Sequence, residues 1–312
     1  MEIALEGAPR SLRLKLSDTL YRRRALLVLL LLVPPMLWVG AVYIGSLLAL
    51  LANSVFRLDH FTGQVVREVG FSNFVALLEG ANLDVVLRTV TMALLVTAAC
   101  IALALPIAWY MARYASGTKK AALYLAVMLP LWSSYLVRLY AWKLLLAKEG
   151  AISWVLAELH LAWVLEGLLA MPMIGGHSLS FSPLGTFIVF VYLWLPFMIL
   201  PIQAALERVP RSLVEASGDL GAPPATTFWR VVFPLAVPGI AAGSIFTFSL
   251  TLGDYIVPGV IGDSSMFIGQ VVSLQQGTAG NVPLAAALSL VPIAVIALFL
   301  WGAKRLGAFD AL

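Results

Sequence analysis

The feature that most constrains this chain is a series of apolar stretches, each long enough to cross a lipid bilayer. A helix needs about 20 consecutive apolar residues to span the hydrocarbon core, and the first stretch runs from Ala25 to about Leu51. Of all residues, 61% are hydrophobic and 12% are charged, whereas a soluble domain carries about 25% charged residues. A water-soluble fold of this length could not bury so much apolar surface, so the sequence predicts a membrane protein with several spans.

The apolar stretches predict helices rather than barrel strands. They are unbroken and lack the alternation of a strand that faces lipid on one side only. A helix also satisfies its backbone hydrogen bonds within the segment, as the bilayer requires. The predicted fold class is therefore an all-α membrane protein with six transmembrane helices. We place these helices at about 25–51, 87–112, 121–146, 183–206, 235–257 and 284–303.

The N-terminal region resembles the start of a secretory signal in one respect only. Arg22, Arg23 and Arg24 precede an apolar stretch. That stretch is too long for the core of a cleavable signal, so we expect it to remain as the first span. Residues 1–24 then form a short cytoplasmic N-terminal segment, and residues 25–312 form the membrane domain.

The distribution of Lys and Arg predicts the orientation of the spans. With both termini in the cytoplasm, basic residues concentrate before helix 1, between helices 2 and 3, between helices 4 and 5, and after helix 6 at Lys304 and Arg305. The loops on the other side mix basic residues with many carboxylates. Because basic residues favour the cytoplasmic side, we expect both termini to be cytoplasmic.

One further segment competes with this count of spans. Residues 151–169 are nearly long enough to cross, but they contain Glu158, His160 and Glu166. Each carboxylate would cost roughly 2–3 kcal/mol near the membrane centre. A seventh span would also move one basic end of the chain to the wrong side. We therefore expect an amphipathic helix on the outer face, followed by a turn at Gly175–Gly176.

A polar loop between helices 4 and 5 predicts a projecting structure. It has the sequence ERVPRSLVEASGDLGAPPATTFWRVVF over residues 207–233. Ser212 can cap a helix whose third residue is Glu215, and Gly221 allows the chain to reverse. The two prolines after Ala222 end this helix, and the second of them can begin the next one. The loop is predicted to be a short helix, a turn and a second short helix.

This loop resembles the EAA loop of ABC importer permeases. The resemblance rests on Glu215-Ala216-Ser217, on Gly221, and on the Pro234…Pro238 segment that follows. Ser217 stands where the family usually has a second alanine, a small change in a helix. The resemblance extends from helix 2 to helix 6 and implies the type I importer permease fold.

The resemblance also implies how such a chain is driven. The loop, about residues 207–234, would form a coupling helix that docks on a cytosolic ATP-binding subunit, and closure of an ATPase dimer would move the spans. The residues expected to carry this coupling are Glu215, Ala216, Ser217, Gly218, Leu220, Gly221 and Ala222. The chain contains no G-x-x-x-x-G-K-[ST] phosphate loop, so ATP and Mg²⁺ are expected on the partner subunit and none of the residues here is expected to be catalytic.

The same resemblance implies the remaining partners and the location. These are a second homologous permease subunit, a periplasmic or extracytoplasmic substrate-binding protein, and the lipid of the cell inner membrane. No nucleic-acid partner and no metal site are expected. Cys100 lies alone in an apolar run, which is typical of a small core residue.

Three stretches resemble the spermidine/putrescine branch of these permeases. They cover residues 136–156, 192–210 and 248–262. The resemblance implies a polyamine substrate. Another small amine, an amino-acid-like solute or a phosphonate remains an alternative within the same architecture. An ion-coupled secondary transporter is the alternative from another class, but ionisable residues at the midplane and inverted repeats, which mark that class, are not evident.

Asp254 is the only carboxylate inside the predicted spans. An ionisable residue within the membrane is a candidate functional residue, and Tyr255 beside it could add a cation–π contact to a bound amine. In helix 3, Ser133, Tyr135 and Arg138 form a second polar cluster. These five residues are the predicted substrate pathway. The alternatives are that Asp254 caps or pairs with a neighbouring helix, or that Arg138 neutralises it.

Overall fold

The computed structural model describes residues 24–59 and 61–305. Apart from Arg24, the predicted N-terminal segment 1–24 lies outside these residues, as do the last residues of the predicted membrane domain, 306–312. The chain divides into two units, Met1–Asn53 and Ser54–Leu312.

The first unit is a helix of membrane length. It consists of α1 (Arg24–Val39), a π-helical turn (Gly40–Ile44) and the beginning of α2 (Gly45–Ser54). The apolar part, Leu27–Ser54, has 28 residues, and an 18-residue stretch within it has a mean hydropathy of 2.3. Such a length exceeds the roughly 20 residues that a span needs, so this element can cross a bilayer with some tilt.

The second unit begins with a small β-hairpin, which the all-α prediction did not include. Strands β1 (Arg57–Leu58) and β2 (Val65–Val66) pair antiparallel. The connecting turn is held by Asp59, whose side chain accepts hydrogen bonds from the Phe61 N–H at 3.0 Å and the Thr62 hydroxyl at 2.8 Å. These two bonds lower the pKa of Asp59.

The rest of the second unit is helical. Its α-helices are α3 (Ser72–Leu77), α4 (Gly80–Arg113), α5 (Gly117–Trp132), α6 (Tyr135–Leu145), α7 (Ala151–Glu158), α8 (Ala162–Leu169), α9 (Pro183–Glu207), α10 (Arg211–Asp219), α11 (Pro224–Thr227), α12 (Phe233–Gly253), α13 (Ile256–Val260), α14 (Ile268–Gln276) and α15 (Val282–Arg305). A 3₁₀ turn (Leu179–Phe181) precedes α9, and a π-helical turn (Phe228–Val232) joins α11 to α12.

Helix α9 is the centre of this unit. It packs against both α4 and α12. In its most apolar stretch, 61% of the residues are buried, compared with 22% in the corresponding stretch of α15. Helix α12 comes close to α9 because it has glycine residues at the contact. A Cβ atom on Gly239 would lie 2.5 Å from the Pro201 carbonyl oxygen, and one on Gly243 would lie 2.6 Å from the Met198 sulfur. Small residues at such crossings let membrane helices pack tightly.

The third predicted span is not one straight helix. Residues 121–146 were expected to form a single element, but α5 and α6 meet at an angle of 96°. The break falls at Ser133 and Ser134, whose ψ angles of 150° and 137° are extended. Pro130, which has no N–H to donate, lies just before it. Of the described helices, five are long and apolar enough to span, or six if the bent pair counts as one.

The fifth predicted span, 235–257, also has different limits. At its start, α11, the π turn and α12 form one continuous 30-residue helix, Pro224–Gly253. At its end, Asp254 adopts an extended ψ of 127°, and α13 is a separate short helix. Asp254 therefore lies just after the spanning helix rather than inside it. The second span begins at Gly80, earlier than the predicted position 87.

The predicted amphipathic helix over residues 151–169 is broken in the middle. His160 has a φ of 57°, a left-handed conformation that ends α7 before α8 begins. The Gly175–Gly176 turn follows. A Cβ on Gly175 would lie 2.0 Å from the Leu169 carbonyl oxygen, so only glycine fits there.

Candidate functional site

Helix α10 forms the first half of the polar loop. It begins directly after Pro210, and the structure shows no side-chain cap at its start. The predicted capping box of Ser212 and Glu215 is therefore wrong. Pro210 has extended backbone, with ψ at 136°, and its carbonyl oxygen accepts from the Leu213 N–H at 3.2 Å. The helix thus starts two residues earlier than the sequence indicated, and Ser212 lies in its first turn.

The end of α10 is a Schellman motif with Gly221 at its left-handed position. Gly221 has a φ of 75°. Its N–H donates to the Gly218 carbonyl at 2.8 Å, and the Ala222 N–H donates to the Ser217 carbonyl at 3.1 Å. This pair of bonds closes the helix and reverses the chain, as the glycine in the sequence predicted.

Ser217 connects the two halves of the loop. Its hydroxyl lies 2.9 Å from the hydroxyl of Thr227 in α11. An alanine at position 217, usual in the resembling family, could not make this bond. The sequence gave no indication of the partner, because Thr227 lies ten residues away beyond a turn and two prolines.

One side of α10 is exposed to solvent. Glu215, Ala216 and Gly218 are exposed, and Leu220 and Leu213 expose 88% and 45% of their surface. Val214, about a quarter turn away around the helix, packs against the core and anchors α10 on that side. A short helix that is fixed on one side and shows two large apolar side chains on the other is typical of a docking element.

Aromatic contacts join the second half of the loop to α4. The Phe228 ring meets Trp109 edge-on, with centroids 5.7 Å apart and planes at 80°. Trp229 and Phe233 extend this cluster, with their ring centroids 5.0 Å apart. The π-helical turn lies in the same residues, and such turns are frequent at functional positions.

The beginning of the loop is held by a polar cluster that sequence reasoning did not identify. We call it the Glu207 cluster: Glu207, Lys120, Tyr124 and Gln203. One carboxylate oxygen of Glu207, Oε1, lies 2.7 Å from the Lys120 ammonium. The same oxygen accepts from the Tyr124 hydroxyl at 3.1 Å and from the Gln203 amide at 3.2 Å. In the sequence, the only indication of this cluster was Glu207 itself, a lone carboxylate at the end of an apolar helix.

At the other predicted site, the structure brings Asp254 and Tyr135 together. The Tyr135 hydroxyl donates to one carboxylate oxygen of Asp254. The second oxygen accepts from the N–H groups of Ile256 at 2.8 Å and Val257 at 2.9 Å. Asp254 therefore caps the first turn of α13, one of the alternatives left open by the sequence, and at the same time links this turn to α6.

Arg138 and Ser133 do not join this contact. The ion pair considered between Arg138 and Asp254 is not formed among the described residues, where the Asp254 carboxylate accepts from Tyr135, Ile256 and Val257 instead. The Nε and Nη1 atoms of Arg138 are buried and have no hydrogen-bond acceptor in the described part of the chain. The Ser133 hydroxyl donates to the Pro130 carbonyl at 2.8 Å, so it stabilises the bend.

Tyr255 lies beside Asp254 and points to a cavity. Its side chain is 52% exposed, and it lines a cavity of about 360 Å³ together with Ser273, Gln276 and Ser289. The floor depends on Gly269, which the sequence did not single out. A Cβ there would lie 3.1 Å from the Asp254 carbonyl oxygen, so a larger residue would require this backbone to shift by a few tenths of an ångström.

The chain belongs to the family of binding-protein-dependent transport system inner membrane components, whose sequence pattern matches residues 104–307. It is 57% identical over 298 residues to the inner membrane ABC transporter permease protein YdcU of Escherichia coli (strain K12), covering 96% of this chain and 95% of that protein. It is 30% identical over 284 residues to the spermidine/putrescine transport system permease protein PotB of the same organism, covering 90% and 94%.

A solved structure shows the same fold. A chain of a bacterial alginate ABC transporter, crystallised with an alginate pentasaccharide-bound periplasmic protein, matches with a TM-score of 0.70 at 16% identity. The match covers 92% of this chain and 95% of that one. The resemblance to ABC importer permeases is thereby confirmed. The protein is a permease subunit of an ABC importer, a multi-pass protein of the inner membrane, and a transport component rather than an enzyme.

Proposed function

We propose that this permease forms half of the translocation pathway of an importer for polyamines such as putrescine and spermidine. The observation that carries this proposal is the similarity to PotB, which is 30% identical and extends over 90% of the chain. In the proposed topology, the bent pair α5–α6 counts as one of six spans. Both termini are cytoplasmic, residues 1–24 form the cytoplasmic segment, and residues 25–312 form the permease domain.

The loop of residues 207–234 is the proposed coupling element. Helix α10 would enter a groove on a cytosolic ATPase, with Leu213 and Leu220 as apolar contacts and Glu215 as the charged one. The geometry supports this role, because the Schellman cap at Gly221 and the bond between Ser217 and Thr227 hold the two halves of the loop together, as a unit that transmits displacement would require. The remaining coupling residues are small and would let the helix fit into a narrow groove. They are Ala216, Gly218 and Ala222.

The complete importer would contain several further subunits. A dimer of the cytosolic ATP-binding subunit would bind ATP and Mg²⁺, so this chain itself would hold no cofactor. A second homologous permease would supply the other half of the pathway, and a periplasmic binding protein would deliver the solute. The crystallised alginate transporter includes such a periplasmic protein. Membrane lipid would cover the apolar faces of the spans.

Asp254 and Tyr255 are the proposed substrate contacts, with Ser133, Tyr135 and Arg138 on the same pathway. Asp254 carries a negative charge at the end of a span, and Tyr255 exposes an aromatic face to the adjacent cavity. A carboxylate and an aromatic face are the groups that favour an organic ammonium ion.

A second candidate substrate class follows from Arg138. Its two buried N–H groups have no acceptor among the described residues, and a buried donor without a partner costs about 1–3 kcal/mol. A carboxylate or phosphonate on the solute would satisfy them. An amino-acid-like or phosphonate solute is therefore the alternative that this side chain favours.

Competition in reconstituted vesicles separates the two substrate classes. The permease would be assembled with its ATPase, second permease and binding protein, and uptake of radiolabelled putrescine would be measured. We expect uptake that is reduced by excess spermidine and unaffected by excess γ-aminobutyrate. Inhibition by γ-aminobutyrate alone, or an absence of putrescine uptake in a complex that hydrolyses ATP, would contradict the polyamine proposal.

A further inference from the structure

The Glu207 cluster joins two helices at the beginning of the coupling loop. Lys120 lies in the first turn of α5, and Glu207 is the last residue of α9. The 2.7 Å contact is a charge-assisted hydrogen bond, about twice as strong as a neutral one. Both side chains are 33% exposed. The pair is therefore partly shielded from water, and bonds from Tyr124 and Gln203 complete it.

The apolar contacts of helix α5 at this end are only partly buried: Leu123 and Val127 pack against the core without being enclosed by it. None of its 16 residues, all of which the structure describes, is fully buried. Lys120 and Tyr124 are four residues apart and therefore share one face of the helix. Both bind the same carboxylate oxygen. The polar bonds to Glu207 therefore hold the beginning of α5 to the end of α9 beside apolar contacts that are only partly buried.

The coupling loop lies next to this attachment in the chain. Only residues 208–210 separate Glu207 from the first residue of α10, and Val209 among them is 5% exposed. Three residues span at most about 10 Å. Because Val209 is buried, this connection has little freedom to extend or shift. A displacement of α10 must therefore pass to Glu207 rather than be absorbed by the connection.

The other end of the bent pair reaches Asp254. Helix α5 has a length of about 24 Å for its 16 residues. Beyond the bend, Tyr135 in the first turn of α6 donates to Asp254 and stacks on Trp194, with centroids 6.3 Å apart and planes at 19°. Helix α5 and the bend at Ser133–Ser134 thus connect the Glu207 cluster to the contact between α6 and α13.

We propose that the ion pair between Lys120 and Glu207 transmits movement of the coupling loop to α5, and through α5 to the Tyr135–Asp254 contact. Lys120 and Glu207 are positioning residues in this account: they bind neither ATP nor solute, and they set the place of α5 when α10 moves. The proposal rests on the coupling role of the loop given above, and it assigns the path by which that movement reaches the bend.

The test compares Lys120→Met with Lys119→Met in the full importer. Lys119 is the adjacent lysine, and no hydrogen bond or ion pair is found for it among the described residues. Two quantities are measured: putrescine uptake, and ATP hydrolysis with and without the binding protein. We expect Lys120→Met to lower uptake per ATP hydrolysed by about tenfold, within the range typical of coupling energies, with unstimulated hydrolysis preserved. Lys119→Met should match the unmodified importer.

A charge exchange separates coupling from simple loss of stability. Lys120→Glu combined with Glu207→Lys keeps the pair with its charges reversed. The new ammonium at position 207 would also face the Gln203 Oε1 atom, which has no donor among the described residues. We expect each single change to uncouple the importer and the double change to restore at least about a third of the uptake per ATP, because the pairwise interaction returns.

Two outcomes would overturn the proposal. The first is that the Lys120→Met importer takes up as much putrescine per ATP hydrolysed as the Lys119→Met importer. The other is a double exchange as impaired as either single change while all variants assemble and melt within a few degrees of the unmodified importer. Failure of the polyamine assignment looks different: putrescine uptake is then absent in every variant, and stimulation of ATP hydrolysis by the binding protein still reports whether Lys120 couples.

Discussion

At the scale of single residues, Asp254 has two roles that share one carboxylate. One oxygen caps α13 through the N–H groups of Ile256 and Val257, and the other receives the Tyr135 hydroxyl. A capping asparagine would keep the first function, because its side-chain oxygen also accepts from backbone N–H groups. The negative charge would be lost, and the amide NH2 that replaces the second oxygen could no longer accept from the Tyr135 hydroxyl. One substitution therefore keeps the capping role and removes the other.

We expect Asp254→Asn to lower polyamine uptake by about tenfold, since a hydrogen bond to a charged group contributes about 1.5–3 kcal/mol. The KM for the loaded binding protein should stay the same. The matched control is Asp263→Asn, because Asp263 accepts from the N–H and hydroxyl of Ser265 in a similar turn, both at 2.9 Å. Equal uptake in the two variants would show that Asp254 only caps α13.

Sequence reasoning identified these residues but not their partners. Asp254 stood out because a carboxylate is rare beside an apolar span, and Tyr135 because it belongs to a polar cluster. Their contact joins positions 119 residues apart, a distance that no local pattern reports. The alternative with Arg138 was as reasonable on charge alone, but in the structure the Asp254 carboxylate accepts from Tyr135 and from backbone donors at the start of α13 instead.

At the scale of elements, the coupling loop was largely predictable. Gly221, and the prolines that follow it, carry strong local preferences, and the predicted helix, turn and second helix are present. Two details were not predictable. Pro210 rather than Ser212 sets the start of α10, and α11 continues through a π turn into α12 instead of ending. Both depend on how the flanking spans direct the chain.

Gly221→Val tests the loop as a mechanical unit. The φ of 75° at Gly221 leaves a side chain strained even though the space around it is open, at a cost of about 1–2 kcal/mol. We expect the importer to assemble and to lose most of its uptake, because the Schellman cap opens. Gly218→Ala is the control, since Gly218 is helical and its surroundings are equally open. Normal uptake with Gly221→Val would remove the cap from the coupling account.

The bend between α5 and α6 shows the limit of element prediction. Apolar residues continue on both sides of Ser133 and Ser134, and each serine is acceptable inside a helix. The periodicity therefore indicated one span over 121–146. Beyond the 96° angle, α6 contacts α13 and α9, and a pattern of single residues does not contain such contacts.

At the scale of the whole molecule, composition alone indicated a multi-span membrane protein, and family membership agrees. The chain has the fold of an importer permease. Its proposed motion is driven by a separate ATPase subunit, which acts through α10. The count of six spans depends on treating the bent pair as one, and the cytoplasmic placement of α10 rests on the distribution of Lys and Arg. An energy source on a separate subunit is the central claim that these features support.

Uptake into vesicles with and without the ATPase tests this claim most directly. The permease, its homologous partner and the loaded binding protein would be reconstituted, and putrescine accumulation would be followed with ATP and Mg²⁺ on the ATPase side. Our account predicts accumulation only when the ATPase and hydrolysable ATP are both present, with no response to an imposed proton or sodium gradient. Accumulation at the same rate without the ATPase, driven by either gradient, would contradict it.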